Sequence, residues 1–385
     1  MPYLYAVYLS QLKITQFKNY ESQALVFSPR MNCLTGLNGM GKTNVLDAIH
    51  YLCLCKNHSG LPDKNLIRHG EAFFRLDATF FNEQQASERV VVKYQSGQRK
   101  EFERNGAPVL KLTEYVGQYP VVMIAPDDVT LVQDGSEERR RFLDATISQI
   151  SPEYLQNLLI YNQLLKQRNA LLKTFGAERR FDATLLESID RQMGAPAAVI
   201  HQHRQQLAAD MAPVFADCYA EISGSREQVS IRYESDLDAM DLPTLFKENI
   251  EKDRALERSS AGPHRDELVL GMDGMLVRKF ASQGQLKSFL LALRLAQYEL
   301  LQKAKNVQPL LLLDDIFDKL DEQRVRQLIG LLLNRSFGQI FITDTQRARI
   351  ESVISSFPGP YSLFEVHAGV IVPVSGRDAN NTEAA

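Results

Sequence analysis

The sequence predicts an α/β protein, a mixed-sheet core interrupted by an inserted helical lobe. Extended apolar runs and one strong helical pattern alternate up to about Val92. From about Ser136 to Lys252, Leu and Ala recur at three- and four-residue spacing, as a buried helical face requires. Beyond Glu267, strand and helix patterns alternate again, which implies a largely parallel core sheet.

Apolar alternation predicts strands over residues 3–17, 24–27 and 32–35. Residues 42–54 carry Val45, Ile49 and Leu52 at helical spacing, and 73–81 and 90–94 read as further strands. In the middle stretch helical spacing covers 154–172, 185–193 and 199–215, with one strand-like run at 228–233. Gly176, Gly194, Pro196 and Pro213 predict breaks there, because an interior proline costs a helix about 3 kcal/mol. No long coiled coil is therefore expected. The C-terminal third predicts a strand at 267–272, a turn at Asp273-Gly274, a strand at 276–280 and a long amphipathic helix at 284–304. A buried strand at 309–313, a helix at 321–333 and a strand at 339–343 follow. The implied division is 1–135 and 256–374 for the two parts of the core, 136–255 for the lobe and 375–385 for a flexible polar tail.

Composition bounds the function. The 385 residues carry 44 Lys and Arg against 47 Asp and Glu, a net charge of -3, so the surface as a whole is no cation for nucleic acid or acidic membrane. Any anionic partner must meet a local patch. Apolar runs stop short of the roughly 18–20 residues a membrane span requires. The start has no basic segment or small-residue cleavage site, so a cytoplasmic protein that does not use a membrane is expected. Cys33, Cys53, Cys55 and Cys218 show neither CxxC nor zinc-like spacing and predict buried free thiols.

Three motifs carry chemistry. Gly36-Leu37-Asn38-Gly39-Met40-Gly41-Lys42-Thr43 matches GxxxxGK[ST] between a strand and a helix, the context a phosphate-binding loop needs. Its glycines let backbone N–H groups turn toward phosphate oxygens, Lys42 reaches the β and γ phosphates, and Thr43 ligates Mg²⁺. A simple glycine turn is the alternative. Leu310-Leu311-Leu312-Leu313-Asp314-Asp315 reads as a buried strand whose tip places two carboxylates, Asp314 for Mg²⁺ and Asp315 to orient or deprotonate an attacking water. A strand followed by an acidic turn is the plainer reading. Ser282-Gln283-Gly284-Gln285 opens the long helix and resembles the signature loop of ABC-type ATPases, with N-capping by Ser282 as the alternative.

Two other groups are weaker signals. Gly262-Pro263-His264-Arg265-Asp266 lacks an accompanying nucleophile and reads as a structural or coupling turn. Candidate DNA-contacting cations are Arg139, Arg140, Arg141, Lys166, Arg168, Lys173, Arg179, Arg180 and Arg204, with His201 and His203. Glu178, Asp182 and Glu187 are mixed among them, so solvated helix faces are the competing reading.

With Phe17-Lys18-Asn19-Tyr20, the continuation Asn44-Val45-Leu46-Asp47-Ala48-Ile49 and Arg139-Arg140-Arg141-Phe142-Leu143-Asp144, these motifs span most of the chain. The ordered set resembles the RecF family, relatives of the SMC ATPases without long arms. The resemblance implies an ABC-type ATPase head with mixed sheet, assembled from the first and last thirds around the helical lobe, and a homodimer closing head to tail over two ATP and Mg²⁺. By position it implies phosphate and metal roles for Lys42 and Thr43, a Walker B pair at Asp314 and Asp315, and a D-loop at 318–321. Ser282, Gly284 and Gln285 would act across the dimer. Implied partners are double-stranded and gapped DNA together with RecR and RecO, in loading recombinase, with slow ATP turnover. Met40 stands where the family often has Gln, Asp47 where it often has Glu, and Leu286-Lys287 where Gln-Arg is usual. Asp344-Thr345, with no histidine, follows the strand at 340–343. A transporter nucleotide-binding subunit is the main alternative, although about 240 residues part the loop from the signature. A small-molecule kinase is the other.

Overall fold

Why the chain forms two sheets in its first unit follows from which strand faces are apolar. In the computed structural model residues 7–82, 84, 86–133, 135–224, 227–319, 330 and 337–377 are described. Two compact units emerge, Met1–Asp128 with Gln297–Ala385, and Val129–Ala296. Among the described residues the strands are β1 (Tyr8–Phe17), β2 (Tyr20–Val26), β3 (Met31–Thr35), β4 (Phe73–Phe81), β5 (Ser87–Gln95), β6 (Glu101–Arg104), β7 (Ala107–Pro108), β8 (Val121–Ile124), β9 (Val229–Glu234), β10 (Glu267–Met272), β11 (Met275–Leu276), β12 (Leu310–Leu313), β13 (Ile340–Asp344), β14 (Tyr361–His367) and β15 (Val370–Arg377).

Strands β3, β8, β12 and β13 are buried on both faces, and β8 and β12 read as continuous apolar runs, the pattern of parallel strands covered on each side. They lie in the order β15-β14-β3-β13-β12-β8, parallel throughout except for β15 at the edge. The other sheet, β2-β1-β4-β5-β6-β7, is antiparallel, and its strand β4 alternates strictly, with Phe74, Leu76, Ala78 and Phe80 inward. Helix α1 (Lys42–Leu54) packs on β8 and β13 of one sheet and β4 and β5 of the other, so it is buried nearly all round. Gln339 stitches the sheets. It accepts the Leu9 amide at 2.8 Å and donates to the carbonyls of Leu9 at 2.8 Å and Ser28 at 2.7 Å.

The second unit contains helices α2 (Ser136–Ile150), α3 (Pro152–Glu178) and α4 (Ala183–Ser223) and the small sheet β11-β10-β9. The expected breaks do not occur, since α3 runs through Gly176 and α4 is a 41-residue helix containing Gly194, Pro196 and Pro213. One stripe, from Leu186 and Met193 through Ile200, Leu207 and Met211 to Phe215 and Ile222, stays buried along its whole length, and that burial outweighs the lost amide bonds. Residues 256–296, expected with the core, fall in this unit because β10 pairs with β9 and Glu267 binds Arg139 and Ser136. Residues 277–280 are a helical turn rather than strand, while Asp273 and Gly274, both at positive φ, make the predicted hairpin turn. Residues 375–377, assigned to the tail, pair with β14.

Buried cations hold the lobe together. Arg168, fully buried, donates to Asp190 at 2.7 Å, Asp253 at 2.6 Å and Ser259 at 2.9 Å and stacks on Phe246. Arg204 donates to Asp144 at 2.8 Å, Asp266 at 3.2 Å and the Pro263 carbonyl at 2.6 Å. Arg139 binds Glu267 at 2.6 Å, and Arg140 donates to the Asp266 carbonyl at 2.8 Å. Arg139, Arg168 and Arg204 are therefore internal ties and not DNA contacts, a correction to the sequence reading that follows from their burial. Lys166, Lys173, Arg179 and Arg180 are exposed. The 262–266 turn anchors the Arg140 and Arg204 ties, and His264 Nδ1 meets the Tyr161 hydroxyl at 2.8 Å. All four cysteines are buried free thiols.

Replacing Arg168 by Ala strands two carboxylates in the lobe and is expected to cost about 3–5 kcal/mol, read from urea unfolding of the full chain. Burial pushes the His264 imidazole down to about 4, although its bond to the Ser259 carbonyl opposes this. Above about pH 6.5 His264 is neutral in both folded and unfolded chains; as pH falls from there toward 4 the unfolded chain alone takes the proton, so stability declines. A His264→Gln chain should show a flatter urea midpoint across that window, and an unaltered slope would assign the acid sensitivity to other groups.

Candidate nucleotide site

The parallel register brings four strand ends to one edge of the core sheet. Leu313 lies beside Ile342 and Ile124, and Asp344 beside Thr35, so the residues that follow β3, β12 and β13 emerge together. Ligands of open α/β sheets bind at that carboxyl edge. The Gly36 amide donates to the Asp344 carbonyl at 3.3 Å, tying the glycine loop to β13.

Two of the loop glycines are required by geometry. Gly36 (φ 152) and Gly41 (φ 115) adopt backbone conformations L side chains rarely reach, and a Cβ would strike the Val366 carbonyl at the first and Asn19 at the second. Gly41 caps α1 without a side chain, so the first-turn amides of Lys42 and Thr43 have no capping oxygen and form, with the helix dipole, an anion site. Lys42, only 3% exposed, donates from Nζ to the carbonyls of Gly36 at 2.8 Å and Leu37 at 3.2 Å, with Asp315 Oδ2 at 3.8 Å. Leu37, Asn38 and Gly39 form the exposed crest.

The loop is braced from outside by residues that sequence reasoning used only as marks of a family. In the β1–β2 turn, Asn19 Nδ2 donates to the Met40 carbonyl at 2.9 Å, and the buried Tyr20 hydroxyl donates to the Gly41 carbonyl at 2.9 Å. Asn44 Nδ2 donates to Asn19 Oδ1 at 2.7 Å, and Lys18 pairs with Asp47. On the opposite flank the Gly369 amide donates to the Met40 carbonyl at 3.1 Å and the Ala368 amide to Met40 Sδ at 3.2 Å. Met40 and Asp47 thus have defined partners.

Asp314 is buried, at 4% exposure. Thr43 Oγ1 donates to its carboxylate, 2.8 Å from Oδ2, and Thr343 Oγ1 donates to Oδ1 at 2.7 Å. Burial raises the carboxyl's pKa, and the Thr343 and Thr43 hydroxyls counter it. Asp315 follows at φ 40, a left-handed conformation, with its amide donating to Thr343 Oγ1 at 2.8 Å. Among the described residues no three or more His, Cys, Asp or Glu form a metal cage. The contacting oxygens of Thr43 and Asp314 nonetheless suit Mg²⁺, which takes few protein oxygens and leaves its other positions to phosphate and water. Thr343 had no signal in the sequence beyond closing an apolar strand.

In the second unit, Ser282 and Gln285 form a reciprocal capping box at α5 (Gln283–Lys305). The Gln285 amide donates to Ser282 Oγ at 3.2 Å, and the Ser282 amide to Gln285 Oε1 at 2.8 Å. Gln285 Nε2 also donates to Glu227 at 2.9 Å. The capping alternative is thus realised, while the amides of Gln283 and Gly284 stay outside the box. The D-loop expected at 318–321 and the helix expected at 321–333 fall largely outside the described residues.

Comparison with known proteins agrees with this architecture. Residues 8–362 match the family described as RecF/RecN/SMC N terminal domain. The DNA replication and repair protein RecF of Parabacteroides distasonis is 42% identical over 366 residues, covering 95% of this chain and 99% of the relative. That of Flavobacterium johnsoniae is 41% identical, covering 94% and 100%. A solved structure described as the recombination mediator protein RecF-ATP in the RecFOR pathway superposes with a TM-score of 0.87 at 27% identity, over 97% of this chain and 99% of that one. An Smc head domain from Pyrococcus furiosus shares the fold, at a TM-score of 0.56 and 17% identity over 97% of each chain. The transporter alternative has no support in these likenesses. With a glycine loop, a helical insertion and a buried acidic strand tip in this order, and with relatives matching along nearly the full length, the chain belongs to the RecF family of DNA replication and repair proteins.

Proposed function

We propose that this chain is a slow ATPase of recombinational repair, working in the cytoplasm, whose ATP-bound homodimer grips duplex DNA beside single-strand gaps and helps load recombinase. The observation that carries the reading is the Thr43–Asp314 contact at the foot of the glycine loop, since it joins the two halves of a nucleotide site from positions 271 residues apart. The solved relatives described with ATP in the RecFOR pathway support ATP as ligand and RecO and RecR as partners.

In this reading the first-turn amides of α1 and the Lys42 ammonium hold the phosphates. Thr43 and Asp314 would hold Mg²⁺, which would neutralise phosphate charge. Asp315, one residue beyond the buried Asp314, orients the attacking water and accepts its proton. Ser282, Gly284 and Gln285 of a second copy close over the γ-phosphate, and the exposed helix-N-terminal position of Ser282 suits that role. A contact made only to the γ-phosphate gives ATP a preference for the closed dimer over ADP, the differential affinity a switch needs. For duplex DNA, Lys166 and Lys173 are the best placed cations, seven residues apart on one face of α3 and lining a groove with Asn162 and Asn169. Phosphate contacts of this kind read little sequence and weaken steeply with salt.

Lys42→Ala is expected to lose ATP binding, whereas Asp315→Asn should bind ATP and hydrolyse it about 100-fold more slowly, measured as phosphate release. Hydrolysis at the wild-type rate by either chain would remove the site assignment. Sedimentation should show monomer alone or with ADP and dimer with ATP, the dimer reinforced by gapped duplex. A dimer indifferent to nucleotide would remove the switch.

A further inference from the structure

Thr343 stands apart from every motif, yet its hydroxyl joins both carboxylate residues of the site. It is fully buried at the carboxyl end of β13, beside Leu34 of β3. Its Oγ1 donates to Asp314 Oδ1 at 2.7 Å and accepts the Asp315 amide at 2.8 Å. A hydroxyl has one proton; with that proton given to Asp314, the lone pairs are what the Asp315 amide meets, so the two bonds together select one rotamer. Asp315 itself sits at φ 40, where a non-glycine backbone is strained and needs an external restraint. Its carboxylate lies 3.8 Å from the Lys42 ammonium.

We propose that Thr343 is a positioning residue for ATP hydrolysis: by bonding the side chain of Asp314 and the backbone of Asp315 with one hydroxyl, it fixes where the Asp315 carboxylate stands relative to the phosphate loop. The inference rests on the ATPase reading above. It predicts an effect on the chemical step, because the Thr343 hydroxyl bonds Asp314 and Asp315 and, among the described residues, no hydrogen bond joins it to the phosphate loop. Valine has the same shape without the hydroxyl, and serine keeps the hydroxyl without the methyl.

The test compares the full-length wild type, Thr343→Val, Thr343→Ser, Asp315→Asn and the Thr343→Val/Asp315→Asn double variant, with kcat, KM, binding of a fluorescent ATP analogue and thermal midpoint for each. Thr343→Val should lower kcat about 10- to 100-fold, the scale of a misplaced reacting group, with analogue affinity unchanged. Thr343→Ser should restore kcat to within about twofold of wild type, and the double variant should be no slower than Asp315→Asn by more than that margin. Wild-type kcat in the Val chain, a change confined to KM, no rescue by Ser, or multiplicative losses in the double variant would each overturn the proposal. Should the Val chain fail to fold, Thr343→Ala is read against Thr343→Ser in the same way. Lys42→Ala separates the two levels: if it is inactive while the Val chain is fully active, only the positioning role fails, and if it hydrolyses ATP normally, the ATPase reading fails.

Discussion

A carboxylate kept inside the first unit is the constraint on which the rest of the site depends. Asp314 sits at 4% exposure, and an unpaired charge there would be prohibitive, so hydroxyls must be delivered to it from two directions. Thr43 comes from the first turn of α1 and Thr343 from the end of β13. Both can arrive only if β3, β13 and β12 are adjacent, parallel and in register, because a shift of one residue would turn Thr343 to the other face. Once β3 ends beside β13, the chain must reverse into α1 within a few residues under the β1–β2 turn. Gly41 has no room for a side chain beneath that turn, and Gly36 has none because the Val366 carbonyl of β14 closes on it.

The same logic, with the signs exchanged, organises the second unit. Arg168 and Arg204 are buried guanidiniums, each held by carboxylates from different elements, and the 262–266 turn is where several of those ties meet. Such ties contribute less net stability than an apolar core of equal volume, but removing one partner leaves a charge with no solvent. They join α2, α3 and α4 to one another and to the turn before β10, so an arginine count overstates the cations available at the surface. Of the candidate cations, Arg141 on α2 and Lys166, Lys173, Arg179 and Arg180 on α3 and the connection after it stay exposed.

The brace around the glycine loop shows how a short motif acquires a physical role. Phe17-Lys18-Asn19-Tyr20 is unremarkable as local sequence, a strand end with a polar turn. In the fold its Asn19 and Tyr20 reach carbonyls of Met40 and Gly41, and Lys18 reaches Asp47 on α1. The Met40 thioether meets a backbone amide from the β14–β15 turn, so its sulfur serves as an acceptor.

Several elements were legible without coordinates. The limits of α1, β4 and β10, the hairpin turn at Asp273-Gly274, the buried free cysteines and the tight glycine loop before α1 all follow from local rules of periodicity, turn chemistry and spacing, which act over a few residues. The continuity of α4 through two prolines did not, because the burial that offsets the break comes from packing along the entire helix. Nor did the burial of Arg168 and Arg204, the assignment of 256–296 to the lobe, or the place of Thr343 beside two aspartates. Each of these depends on partners tens to hundreds of residues away, and a hydroxyl or guanidinium announces its bonding capacity in the sequence but never which distant group will meet it.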